Sequence, residues 1–171
     1  MSAERATVRR PPRSSSRSRR KKAKILFVDD EQRVLNSMRA LFRREYEVHM
    51  TTQGAEALQM LKDNDIDVIV ADQRMPGMTG VEVLGAVKEI SPRTVRILLT
   101  GYADLDAIEG SINIGEVFRF LSKPCPPNHL KETLKLAVEI AQNPSAEGAA
   151  AAATQAPPPQ PKPKPAPVAA S

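Results

Sequence analysis

Residues 67–80 read DVIVADQRMPGMTG. Within Asp67–Ala71 the apolar residues run without polar alternation, the pattern of a strand covered on both faces. Asp72 ends the run, and Met75–Pro76–Gly77 supplies turn chemistry. Val81, Val83, Leu84 and Val87 follow at helical spacing, marking one apolar face. A doubly buried strand, a polar end and an amphipathic helix make one unit of an α/β fold.

The same unit recurs outward in both directions. Apolar, β-rich runs lie at Ile25–Val28, Tyr46–Met50, Thr94–Leu99 and Val117–Leu121. Helical spacing appears in Val34, Leu35, Met38, Leu41 and Phe42, then in Ala57, Leu58 and Leu61, then in Leu105, Ile108 and Ile112. A last helix carries Leu130, Leu134, Ala137 and Val138. Strand and helix alternating five times predict a doubly wound, five-stranded parallel sheet with five helices.

Composition divides the 171 residues into three parts. Residues 1–22 carry nine Lys/Arg and one Glu among Arg, Ser and Pro, a net +8, and are expected to be disordered. Residues 23–142 hold the periodic pattern and a net −4. Residues 143–171 are Ala, Pro and Lys with a net +1, expected to be an extended, disordered tail. The overall +5 therefore belongs to the N-terminal arm, and the folded body is acidic. No apolar run reaches the ~18 residues of a membrane span. The single Cys125 allows no internal disulfide and suits a reducing, cytoplasmic setting.

The polar residues at the strand ends carry the chemistry. Asp29 and Asp30 come after ILFV, Asp72 after DVIVA, Thr100 after RILL, and Lys123 after FRFLS. Parallel strands bring these ends to one carboxyl edge, where open α/β sheets hold ligands. Taken singly, each has a plain structural reading: Asp30 a helix cap, Asp72 a turn former, Thr100 a loop start, Lys123 a surface lysine. Taken together, three crowded carboxylates ask for a cation, and an oxygen-only donor set asks for a hard one such as Mg²⁺. A carboxylate nucleophile, a metal, an ammonium and a hydroxyl are also the parts of phosphoryl transfer.

KILFVDDE at 24–31, ADQRMPGMTG at 71–80, LLTGYA at 98–103 and FLSKP at 120–124 resemble the CheY-like receiver domains of bacterial two-component response regulators. The likeness covers about 120 residues, with the motifs in order. It implies the strand order 2-1-3-4-5 of that fold. It implies Asp72 as phosphoacceptor and Asp29 and Asp30 as the Mg²⁺-binding acidic pair, Asp30 the more direct ligand. The backbone carbonyl of Arg74 would complete the metal's protein ligands. Thr100 and Lys123 would contact the phosphoryl group, and the Lys123–Pro124 peptide would be cis. The donor would be a phosphohistidine on a sensor histidine kinase or a phosphotransfer protein.

Some positions depart from better-known members. Phe120 stands at the aromatic switch position, commonly Tyr. Arg74 and Tyr102 fill the positions two past Asp72 and Thr100, which tune water access in the family; their bulk points to a slowly hydrolysing acyl phosphate. The wording of the motifs also resembles receivers that precede cyclic-di-nucleotide phosphodiesterase domains. The expectation is a non-enzymatic receiver, Mg²⁺-dependent in self-phosphorylation, without a folded output domain. It would signal through the face of the fourth helix, fifth strand and fifth helix. The alternative is a receiver-shaped binding module acting on nucleic acid or another polyanion through residues 1–22. A phosphoester hydrolase is disfavoured, because Gln73 and Arg74 follow Asp72 where a second acid/base carboxylate would be wanted.

Overall fold

A strand that is apolar on both faces must be covered on both, which forces helices to cross over the sheet in alternation. The computed structural model describes residues 21–101, 104 and 117–143. Its strands are β1 (Lys24–Val28), β2 (Glu47–Thr51), β3 (Val68–Asp72), β4 (Val95–Thr100) and β5 (Arg119–Ser122). Its helices are α1 (Gln32–Phe42), α2 (Gly54–Asp63), α3 (Gly80–Ile90) and α4 (Pro127–Gln142). The sheet is parallel throughout, in the order β2-β1-β3-β4-β5. The helix expected around Leu105–Ile112, Tyr102 and nearly all of both expected tails lie outside the described residues. The helix expected as the fifth is therefore α4.

Two apolar layers sandwich the sheet. Leu26, Val28, Ile69, Ala71 and Leu98 pack with Ala57 and Leu61 of α2 and with Val83, Leu84 and Val87 of α3. Ile25, Phe27, Val68, Val70, Ile97, Leu99 and Leu121 pack with Leu35 and Phe42 of α1 and with Leu130, Leu134 and Ala137 of α4. Successive residues of β1 enter opposite layers, as the two-residue period of a strand requires. The continuous apolar runs of the sequence are thus two interleaved cores. The expected start of the last strand at Val117 is corrected: Val117 is buried, but pairing begins at Arg119.

The register sets the strand ends level. Val28 pairs with Ala71, Asp72 with Leu99 and Thr100 with Ser122. Asp29, Asp72, Thr100 and Lys123 consequently emerge along one edge. α3 begins directly against that edge. A Cβ on Gly80 would stand 2.4 Å from the Asp72 carbonyl oxygen, so only glycine fits. Gly77 turns the preceding loop at φ +84°. Thr79 then caps α3: its side chain accepts from the Glu82 N–H, and the Glu82 carboxylate accepts from the Thr79 N–H at 2.8 Å. That hydrogen bond holds the Glu82 carboxyl below its ordinary range.

Candidate phosphoacceptor site

Asp29 and Asp72 are 3% and 6% exposed at the floor of the carboxyl edge. Two carboxylates buried side by side are costly unless a cation and hydrogen bonds compensate them. Lys123 supplies the cation. Its Nζ lies 2.7 Å from Asp72 Oδ1 and 2.9 Å from Asp29 Oδ2. Backbone amides take the other oxygens: the Arg74 N–H donates to Asp72 Oδ2 at 3.0 Å and the Glu31 N–H to Asp29 Oδ1 at 2.9 Å. Burial by itself would lower the Lys123 pKa, but the hydrogen bonds to Asp72 and then Asp29 outweigh it and raise it. The lysine is charged at neutral pH, one ammonium between two carboxyl groups.

Lys123 reaches this position because its N–H donates to the Thr100 carbonyl at 2.8 Å, extending the β4–β5 ladder by one step. The Lys123–Pro124 peptide is cis. Thr100 is fully buried beside Asp72's strand, and its hydroxyl meets the Gly101 carbonyl at 3.3 Å. Phe120 is half-buried against the layer under α2 and α3. Met75 is buried in that layer, and Met78 packs against it from the loop.

Of the three carboxylates expected to crowd together, the structure brings Asp29 and Asp72 onto one ammonium. Asp30 is exposed at the rim, and the ammonium of Lys123 stands between Asp29 and Asp72. Among the described residues, no three His, Cys, Asp or Glu side chains are gathered as a ready metal cluster. Asp30 is not a helix cap either: the residue that caps α1 is Glu31, and it makes no side-chain cap bond. The donor chemistry nevertheless fits a hard dication. The donors that Asp29, Asp30 and Asp72 offer are all oxygens, the set a hard cation favours.

Arg74 departs from the floor that its own backbone helps build. Its side chain is 73% exposed and forms a bidentate pair with Asp104, Nε to Oδ2 at 2.8 Å and Nη2 to Oδ1 at 2.8 Å. Asp104 is 20% exposed and lies just past Thr100, its N–H on the Gly101 carbonyl at 3.1 Å. The hydrogen bond from Arg74 holds the Asp104 carboxyl below its ordinary range. Sequence reasoning missed Asp104, since nothing local to it signals a partner 30 residues away. It also missed the Thr79–Glu82 cap, although Thr-x-x-Glu before an apolar run is a legible signal.

A family model described as the response regulator receiver domain matches residues 25–135. The chain belongs to that family. Receiver domains are components of two-component signalling rather than classical enzymes, and they generally use Mg²⁺ for phosphorylation. The chain is 40% identical over 119 residues to the hydrogenase transcriptional regulatory protein HoxA of Cupriavidus necator, covering 70% of this chain and 25% of that protein. It is 29% identical over 121 residues to the sporulation initiation phosphotransferase F of Bacillus subtilis, covering 70% of this chain and 97% of that protein. Among solved structures, a CheY-like receiver domain protein from Methanospirillum hungatei matches with TM-score 0.66 at 27% identity, over 72% of this chain and 98% of that one. The chain spans about a quarter of the length of the first curated relatives it matches. Among the described residues, no helix is long and apolar enough to cross a membrane.

Proposed function

We propose that Asp72 accepts a phosphoryl group from a phosphohistidine donor and that the receiver domain signals by protein–protein contact. The observation that carries this is the holding of Asp72. It ends β3 at the carboxyl edge, buried, with one oxygen on Lys123 and the other on the Arg74 amide. An Asp72 oxygen bonds to phosphorus, and the phosphorus–nitrogen bond of the donor breaks with its electron pair leaving on the imidazole. Lys123 stays charged throughout and faces the added phosphoryl charge with a fixed ammonium. Thr100 meets a phosphoryl oxygen through its hydroxyl, and Phe120 follows the resulting movement. Asp29, Asp30, Asp72 and the Arg74 carbonyl would hold Mg²⁺, which neutralises charge between acceptor and phosphoryl oxygens when bound.

Incubation with acetyl phosphate and Mg²⁺ should add one base-labile phosphoryl group, read by intact mass. Asp72→Asn should take up none at that site, because an amide is a poor nucleophile. Equal labelling of Asp72→Asn and wild type would sink the assignment. The donor is proposed to be a sensor histidine kinase or a phosphotransfer protein, acting in the cytoplasm.

A second reading is favoured by charge alone. The +8 of residues 1–22 against the −4 of residues 23–142 suits an arm that binds a polyanion by counterion release. On duplex DNA the slope of log K against log[salt] would be about −4 to −6. Absence of binding to DNA, RNA and anionic vesicles at low salt would eliminate it.

A further inference from the structure

We infer that Arg74 is a phosphoryl-contacting arm held in reserve by Asp104, and that phosphorylation of Asp72 transfers its guanidinium from the Asp104 carboxylate to the phosphoryl oxygens. The inference rests on the proposed role of Asp72 and adds a positioning residue and its release mechanism.

Four observations converge. Arg74 is rooted beside the acceptor, its amide 3.0 Å from Asp72 Oδ2, so rotation of its own side chain can bring the guanidinium back over the floor. Its present partner is a carboxylate, held through two parallel hydrogen bonds of 2.8 Å. A phosphoryl group offers the same fork geometry with more oxygens and more charge. The Arg74 end of the pair is open to solvent at 73% exposure, while Asp104 is 20% exposed, so the guanidinium can leave without being dragged from a buried place. The floor already holds one ammonium for two buried carboxylates. An added phosphoryl charge leaves it short of positive charge, and Arg74 is rooted at its edge. The exchange also has a consequence for output. Asp104 lies next to Gly101 and thus next to Thr100, so its release reaches the segment that follows β4.

The test is a double-mutant cycle read with beryllofluoride and Mg²⁺, beryllofluoride standing in for the phosphoryl group on Asp72. Affinity is followed by NMR, together with the Nε–Hε signal of Arg74. Arg74→Ala should weaken beryllofluoride binding about two- to fivefold, the range of an exposed charge pair. Asp104→Asn should tighten it by a similar factor and shift the Arg74 Nε–Hε signal before any ligand is added. The double variant should bind like Arg74→Ala alone, because without the arm there is nothing for Asp104 to hold back. A bridge that only braces the loops would move both single variants in the same direction. Simple through-space charge would let Asp104→Asn tighten binding equally in the Arg74→Ala background. Either pattern overturns the inference, as does no change in any variant. If wild type takes no phosphoryl group from acetyl phosphate, the role of Asp72 falls and the inference with it. If wild type is labelled and the cycle fails, the arm alone falls.

Discussion

At the floor of the site, Asp29 and Asp72 are buried and share the ammonium of Lys123; at the rim, Arg74 and Asp104 pair in the open. Both are ion pairs with near-ideal distances, yet their physics differs. The floor carboxylates are shielded from water, so removing their cation leaves them with little solvent to take its place. The rim pair competes with water at every moment and can be exchanged for a better anion at small cost. The difference suggests a division of labour. The floor fixes where chemistry occurs, and the rim can report that it has occurred.

The largest effect expected on stability arises at the floor. Lys123→Met should destabilise the metal-free protein by roughly 1–3 kcal/mol, below the ~3–5 kcal/mol of a fully buried pair because the lysine is one-third exposed. Urea unfolding at neutral pH measures it, and adding Asp72→Asn should return part of the loss. The lysine's folded pKa is raised, so its contribution is complete below the unfolded value of about 10.5. The gap between wild type and Lys123→Met should stay flat from neutral pH to that point and close as pH rises through the folded value. An unchanged unfolding midpoint in Lys123→Met would erase the contrast between floor and rim.

A paired substitution on α3 asks how rigid the floor is. Gly80→Ala would drive a methyl group to 2.4 Å from the Asp72 carbonyl, which is backbone and cannot swing aside. A loss of about 1–3 kcal/mol is expected, with reduced phosphoryl uptake as Asp72 is displaced. Gly85→Ala on the same helix meets nothing within 4 Å and should stabilise by about 0.5–1 kcal/mol through helix propensity. Equal responses at the two positions would mean that the helix start is free to shift.

Much of this was legible in the chain. Five apolar runs, each followed by a polar residue, define a parallel sheet, and a parallel sheet sends those polar residues to one edge. The gathering of Asp29, Asp72, Thr100 and Lys123 is therefore a consequence of periodicity plus topology. The arrangement within the edge was not legible. Whether Lys123 stands between the carboxylates or beside them depends on a register 94 residues apart in sequence. The outward course of Arg74 depends on Asp104, in a different loop. Asp30 reads as a cap by position, yet α1 starts at Gln32, one residue later than a cap at Asp30 would need, and Glu31 takes that place.

The cap of α3 gives an intermediate case. Thr79→Ala should cost about 1 kcal/mol, the usual value of an N-cap hydroxyl. Because the Glu82 carboxyl is held below its ordinary range, its share of the cap is present above the unfolded value near 4.5 and is lost as pH falls through the lower folded value. Thermal melts of wild type and Glu82→Ala across that acid range should converge, since Thr79→Ala leaves the backbone N–H that the carboxylate accepts from. Melts that stay parallel would show that the carboxylate contributes nothing to the cap.

The smallest stability effect belongs to Asp30, where the contrast of floor and rim is sharpest. Asp30→Ala removes an exposed carboxylate that neither caps α1 nor joins the Lys123 pair. Asp29, Asp30 and Asp72 together exceed the single charge of Lys123, so its removal relieves repulsion. The metal-free variant should be equal to wild type or more stable by less than about 0.5 kcal/mol. Any gain should fade in high salt, since a rim charge is screened and a floor charge is not. Mg²⁺ affinity should nevertheless fall strongly, because a dication at the mouth needs the oxygen that the apo protein can spare. Calorimetric titration with Mg²⁺ and urea unfolding in low and high salt separate the two effects. Unchanged Mg²⁺ affinity would remove Asp30 from the metal's ligands, and a salt-independent loss of stability would move it from the rim to the floor.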